Sequence, residues 1–211
     1  MKNIPYRKIL YLPSITALVA TILLQQPTFA GSNTFKLSGL TITLPPGWVR
    51  MPVSSPMRAA ELSVPPMSAD VGQEPGEVVF FHFPPGDGGA VDANVRRWIG
   101  QFEESPQEAQ ARTAAEEHGG LRVTFVAAQG TYKSGIPGGP TTPKPGFALR
   151  GAIIETPRGN VFIRFTGPLA LVERHEEAFN AMVRLAALST SGPQTPASEQ
   201  SVTENPEQTT N

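Results

Sequence analysis

Three histidines, a few arginines set inside apolar stretches and one glycine-rich turn are the residues with the means to do chemistry. His82, His118 and His175 are the only imidazoles, and a zinc site would need them to converge with a carboxylate. His175-Glu176 opens like the helical zinc-protease motif, but position 179 is Phe where a second His must stand. The three are therefore read as a surface histidine at 118 and packed or strand-edge histidines at 82 and 175, with no metal expected. Cysteine is absent, which removes thiolate ligands, a cysteine nucleophile and a disulfide framework. No nucleophile elbow, phosphate loop or dinucleotide glycine pattern occurs. No catalytic residue and no cofactor are expected, and a hydrolase with an unfamiliar site is the lowest-ranked function.

Arg150 and Arg164 are more informative. Each lies inside an apolar run, and a buried guanidinium needs a partner. Glu61, Glu77 and Glu155 are the candidate partners. The simpler expectation is an ion pair under a helix or an outward-facing edge position. The functional alternative is a site for an anion or carboxylate formed by Arg150 and Arg164 together. Gly86-Asp87-Gly88-Gly89 precedes a helix and could cradle an anion on free amides, but a tight turn explains it more simply. Trp98 falls on an apolar helix stripe and is read as core rather than as a ligand platform.

Hydrophobic periodicity supplies the elements that hold these residues. Phe35–Leu37 and Leu40–Leu44 alternate about Ser38-Gly39 and read as a short hairpin or a kinked strand. Arg58–Val64 reads as a strand, 67–76 as loop, and Glu77–Phe83 as a strand apolar on both faces. Asp92–Glu103 reads as a helix, because Val91, Val95, Trp98, Ile99 and Phe102 recur at three and four. Residues 111–117 suit either helix or hairpin; the Gly119-Gly120 turn decides for a hairpin. Leu121–Tyr132 is a long strand. Lys133–Gly146 is dense in Gly and Pro and reads as a loop. Phe147–Glu155 and Asn160–Thr166 are strands joined at Thr156-Pro157-Arg158-Gly159. Leu169–Leu188 is a helix with Val172, His175, Phe179, Met182, Val183 and Ala186 on one face.

The 211 residues divide into three parts. Residues 1–30 have a basic start, an apolar run from Ile9 to Leu24 and a small residue, Ala30, at the end, which is the layout of a cleaved secretory signal. The run is interrupted by Pro13, Ser14 and Thr16 and is short for a membrane span, which needs about 20 apolar residues. Residues 31–188 form one globular domain. Residues 189–211 are Ser, Thr, Pro, Gln and Glu with almost nothing apolar, a composition that cannot offset its ordering entropy, so this tail is expected to be disordered. Lys2, Arg7 and Lys8 are three of the 17 bases and none of the 18 acids precedes residue 31, so the remainder carries a net charge near −4. No basic stripe appears, and nucleic acid is not expected as a partner.

Hairpin-linked strands imply an antiparallel sheet, and two helix stripes beside a strand apolar on both faces imply helices on both sides. Here the chain resembles the PsbP-like superfamily, which includes an extrinsic lumenal subunit of photosystem II and a Ran-binding nuclear import factor. It is most similar to bacterial exported members with no settled function. The matching residues are Leu44-Pro45-Pro46-Gly47-Trp48, Met57-Arg58-Ala59-Ala60, Gly88-Gly89 through Asn94, Arg97-Trp98, Gln101-Phe102, Gly130-Thr131-Tyr132 and Phe165-Thr166-Gly167-Pro168. They span about Phe35 to Leu188. The resemblance implies an α+β fold, an α/β/α sandwich around an antiparallel sheet of six to seven strands.

The expected function is that of an exported, non-enzymatic accessory module, periplasmic or secreted. It would bind or stabilise a partner protein in the envelope or lumen, with no stable membrane span after signal cleavage. Lys133 and Lys144, in the long Gly/Pro loop, are the candidate partner contacts. The alternative is a binder of a small anionic or amphipathic ligand through Arg150 and Arg164. The signal reading has a direct check: N-terminal sequencing of the exported chain should begin at Gly31, and a membrane-bound chain retaining Met1 would contradict it.

Overall fold

The computed structural model describes residues 33–66, 74–135 and 139–190; the signal call on 1–30, most of the tail call on 189–211 and most of the loop call on 67–76 lie outside them. Side chains alternate across a strand, and that alternation organises everything in this fold. Strands β1 (Thr34–Leu37) and β2 (Leu40–Thr43) form a separate two-stranded sheet. The main sheet has seven strands, all antiparallel: β3 (Val49–Met51), β4 (Ala60–Val64), β5 (Gly76–Phe83), β6 (Arg112–His118), β7 (Leu121–Gly135), β8 (Thr141–Thr156) and β9 (Gly159–Pro168). Their spatial order is β3-β4-β5-β9-β8-β7-β6. Helix α1 spans Val91–Ile99 and α2 spans Leu169–Leu188. Among the described residues no helix is long and apolar enough to cross a membrane.

Two apolar clusters form. One gathers α2 residues Leu171, Val172, Phe179, Met182 and Val183 with Leu40 and Ile42 of the small hairpin and Phe80, Ile163 and Phe165 of the sheet. The other gathers Val95 and Trp98 of α1 with Val126, Leu149, Ile153 and Phe162. The consecutive residues Arg150 and Gly151 show how the sheet divides them. Arg150 pairs with Glu176 of α2, while a side chain at Gly151 would meet the Trp98 ring of α1 at 2.5 Å. Gly151 is thus an ordinary strand position whose missing Cβ seats the indole. Trp98 is 3 % exposed and meets Phe162 edge-on at 6.3 Å, so it is core.

Three elements depart from the sequence expectation. The segment Lys133–Gly146 is largely strand, not loop: Lys133 pairs with Pro143, Ser134 with Thr142 and Gly135 with Thr141. Pro143 and Pro145 are tolerated because β9 stops at the pair Phe147–Pro168, leaving β8 beyond it without a strand on that side. Helix α1 ends at Ile99 rather than at Glu103 because the chain leaves it to run beside β7. There Lys133 N–H donates to the Gln101 carbonyl (2.8 Å), Glu103 N–H donates to the Thr131 carbonyl (3.0 Å), and Phe102 bridges Tyr132. The short edge strand β3 has too few residues to show a period. The choice of a strand over a helix for 111–117 agrees with β6.

A methyl group at position 151 must displace Trp98. Gly151→Ala should therefore lower the stability measured by urea unfolding by about 1–3 kcal/mol. Adding Trp98→Leu should cost less than the two changes summed. A Gly151→Ala variant of unchanged stability would contradict the Trp98 seat.

Candidate functional site

The sheet register separates the two arginines that the sequence put forward as one site. Arg150 lies opposite Phe165, and Arg164 lies opposite Gly151. They are one residue out of step on neighbouring strands, so they project from opposite faces. Arg164 Nη1 donates to Gln101 Oε1 (3.2 Å), just past the C-terminal end of α1, where a cation is favoured by the helix dipole. Arg150 is on the α2 side and 4 % exposed. The structure thus does not bring Arg150 and Arg164 together. Their expected partners also differ: Glu61 and Glu77 both pair with Arg58 (3.3 and 2.6 Å), and Glu155 pairs with Arg122 at 3.6 Å.

Arg150 instead lines a cleft of about 390 Å³ between α2 and the strands β6, β7 and β8. Three rows of the ladder form its floor. Arg112, Ala127 and Arg150 stand side by side; Ala114, Phe125 and Ala152 form the next row; Glu116 begins the third. Glu176, Asn180 and Arg184 stand above them on α2. Their spacing of four places them on one ridge of the helix. Two ion pairs join floor and ridge. Arg150 Nη2 lies 2.8 Å from a Glu176 oxygen. Arg184 grips Glu116 with both its Nε (2.9 Å) and its Nη2 (2.8 Å), a bidentate geometry that fixes orientation as well as distance. The Arg184 guanidinium also lies over the Phe125 ring at 5.3 Å.

Electrostatics in the cleft follow from these bonds. The Arg184 hydrogen bonds, helped by His118 Nε2 at 2.7 Å, hold the Glu116 carboxyl down at about 2. Arg150 Nη1 donates to its neighbour's carbonyl, that of Leu149, at 3.1 Å. Its buried Nε–H has no acceptor among the described residues.

The remaining sequence candidates fall elsewhere. Lys133 and Lys144 stand on the β7–β8 ribbon, where Lys144 pairs with Glu74 and lies 5.0 Å from the centre of the Phe147 ring. His82 Nε2 contacts the Arg158 carbonyl at 2.9 Å, and His118 contacts Glu116. His175 Nδ1 accepts from the Trp48 indole N–H at 3.4 Å, and burial lowers its pKa, assisted by Arg174. Among the described residues no three His, Asp or Glu side chains converge as metal ligands would. At the Gly86–Gly89 turn the Asn94 amide donates to the Gly88 and Ala90 carbonyls (2.8 and 3.0 Å), and Asp92 occupies the first turn of the helix.

Sequence reasoning passed over Arg112, Glu116, Asn180 and Arg184, and met Glu176 only within the zinc-protease pattern. The Glu176-Asn180-Arg184 ridge and the Arg112-Ala114-Glu116 alternation are both legible as patterns. Nothing local says that they face each other.

No protein-family model matches the chain, and no curated protein matches it by sequence. Solved structures similar to it include the following three. The cyanobacterial PsbP of Synechocystis is 13 % identical, with 76 % of this chain and 95 % of that one covered, at a TM-score of 0.44. PA94, a protein of unknown function from Pseudomonas aeruginosa, is 13 % identical over 72 % of this chain and 92 % of that one, at 0.36. LpqN, involved in cell envelope biogenesis in Mycobacterium tuberculosis, is 14 % identical over 69 % and 78 %, at 0.34. At 13–14 % identity the likeness concerns fold alone.

The clamp has a pH signature. The folded pKa of Glu116, about 2, lies below its ordinary value. Its contribution to stability is therefore complete above about pH 4.5 and is lost as pH falls toward 2. Acid unfolding curves should show wild type losing stability through that window and Glu116→Gln losing less. Parallel curves would mean that the Arg184 pair contributes nothing.

Proposed function

We propose that the chain is an exported, non-enzymatic accessory module that binds and stabilises a partner protein in the cell envelope or lumen. The outer part of the β7–β8 ribbon is the contact. In this reading residues 1–30 are a cleaved signal, 31–188 the domain, an α/β/α sandwich, and 189–211 a tail. The observation that carries the contact is the length of the ribbon. Strands β7 and β8 stay paired out to Gly135 and Thr141, while β9 stops at Pro168 opposite Phe147. The stretch from Thr141 to Gly146 adds roughly 20 Å of strand at about 3.3 Å per residue. Most of it is exposed.

Two features say how such a ribbon would bind. Its outer edges are poor templates for a further strand. Pro143 and Pro145 lack N–H groups beside the open edge of β8, and Gln101–Glu103 cover β7. The contact therefore falls on side chains. No acidic residue lies between Glu117 and Glu155, and Lys133 and Lys144 are the charges of the ribbon. An acidic patch on the partner matches that surface, competing with Glu74 for Lys144.

The chain has no cysteine, so one placed at Thr142 is a unique cross-linking site. In envelope preparations Thr142→Cys should cross-link to a discrete partner, and adding Lys133→Glu and Lys144→Glu should abolish the adduct. A cysteine at the exposed Thr43 should give none. Equal adducts from both positions, or adducts indifferent to the lysines, would overturn the proposal.

A further inference from the structure

We infer that the cleft beneath α2 is a binding site for a small organic carboxylate with a short apolar or aromatic body, held by Arg112 and Arg150. This is independent of the ribbon reading and rests on a different face of the molecule. The charge count comes first. Three arginines line the cleft against two carboxylates. Glu176 is taken by Arg150 and Glu116 by Arg184. Arg112 is left at the mouth, exposed and without an ion-pair partner among the described residues.

The unsatisfied donor comes second. Arg150 is nearly fully buried, yet its Nε–H has no acceptor among the described residues. A buried charged donor left unpaired is costly. An anion entering the cleft would meet a group already oriented by Glu176 and the Leu149 carbonyl.

Geometry joins the two arguments. Arg112 and Arg150 stand in one row with only Ala127 between them, two strand spacings or about 10 Å apart at the backbone. A carboxylate between two guanidinium groups fits that span, and the small Ala127 leaves room above it. The next row offers Ala114 and Phe125 as an apolar bed, and the Asn180 side chain on the ridge adds a neutral donor and acceptor. A volume of about 390 Å³ is at the small end of ligand sites. Inorganic anions would use the arginines but leave Ala114 and Phe125 unused, so the mixed lining selects an amphipathic carboxylate.

Titrations of the full exported chain with benzoate, octanoate and inorganic phosphate test this. Benzoate or octanoate should bind saturably and raise the melting temperature. Arg112→Gln, a change at an exposed residue, should weaken binding by roughly tenfold or more, the scale of a charge-assisted hydrogen bond. Ala114→Trp, which fills the mouth from the exposed edge strand, should abolish binding without unfolding the chain. Arg122→Gln, on the other face of the sheet, should leave binding unchanged. Lack of saturable binding by both carboxylates, saturation by phosphate alone, or binding indifferent to Arg112→Gln and Ala114→Trp would each overturn the proposal.

Discussion

The register of β8 between β7 and β9 is the constraint on which the rest of the fold depends. In a strand with helices packed against the side chains of consecutive residues, a slip of one position exchanges the two faces. Here that would push the Arg150 guanidinium into the place where Trp98 rests on Gly151, and leave Glu176 facing a glycine. A charge would be buried without a partner and an aromatic ring would lose its seat. Both apolar clusters draw on β8 and its neighbours, Leu149 and Ile153 for one and Ala152 and Ile154 for the other. The hairpin turn Thr156–Gly159, where Thr156 Oγ1 donates to the Gly159 carbonyl at 2.7 Å, sets that register at one end. At the other end the Glu104 carboxylate accepts from Thr131 N–H at 2.8 Å beside the bulge between Gly130 and Tyr132.

The cleft follows from how α2 is attached at the β6 end of the sheet. Over β9 and against β2 of the small hairpin the helix is held by apolar contact, where Phe179 meets Phe165 at 5.9 Å and the helix presents Leu171 and Val172. Toward the β6 edge it is held by two arginine–glutamate pairs. Long side chains bridge a gap that short ones at Ala114 and Ala127 do not fill. Replacing the Arg150–Glu176 pair by packed apolar residues would close part of the gap, and a pair with a buried guanidinium is seldom the most stabilising solution available. Its use at the edge is consistent with a cleft kept open.

Much of the scaffold was legible in the residues because it rests on local periodicity. The β1–β2 hairpin, the β8–β9 turn at Thr156–Gly159 and the limits of α2 agree with the pattern of apolar positions and turn residues. The outer ribbon was not, because Pro breaks a ladder only where its nitrogen faces a paired strand, and sequence does not say which strand edges are open. The end of α1 was missed for a related reason. Gln101–Phe102 continue the helical stripe, but a non-local bond to β7 outweighs another helical turn. Among site residues, Arg150 inside an apolar strand does take a carboxylate partner, but from α2 and not from Glu61, Glu77 or Glu155. The pairing with Arg164 failed on parity, since adjacency of strands says nothing about register.

By itself, then, the sequence determined most of the elements, their order and the absence of thiol chemistry, because these depend on residue type and on spacings of two and of three to four. Only the tertiary structure decided which charges meet. Arg112 and Glu116 on β6, Arg150 on β8, and Glu176 and Arg184 on α2 are distant along the chain. They become neighbours through a ladder register and a helix docking that are properties of the whole sheet. Local sequence fixes the face of an element on which a side chain stands, and only the assembled sheet settles what that face opposes.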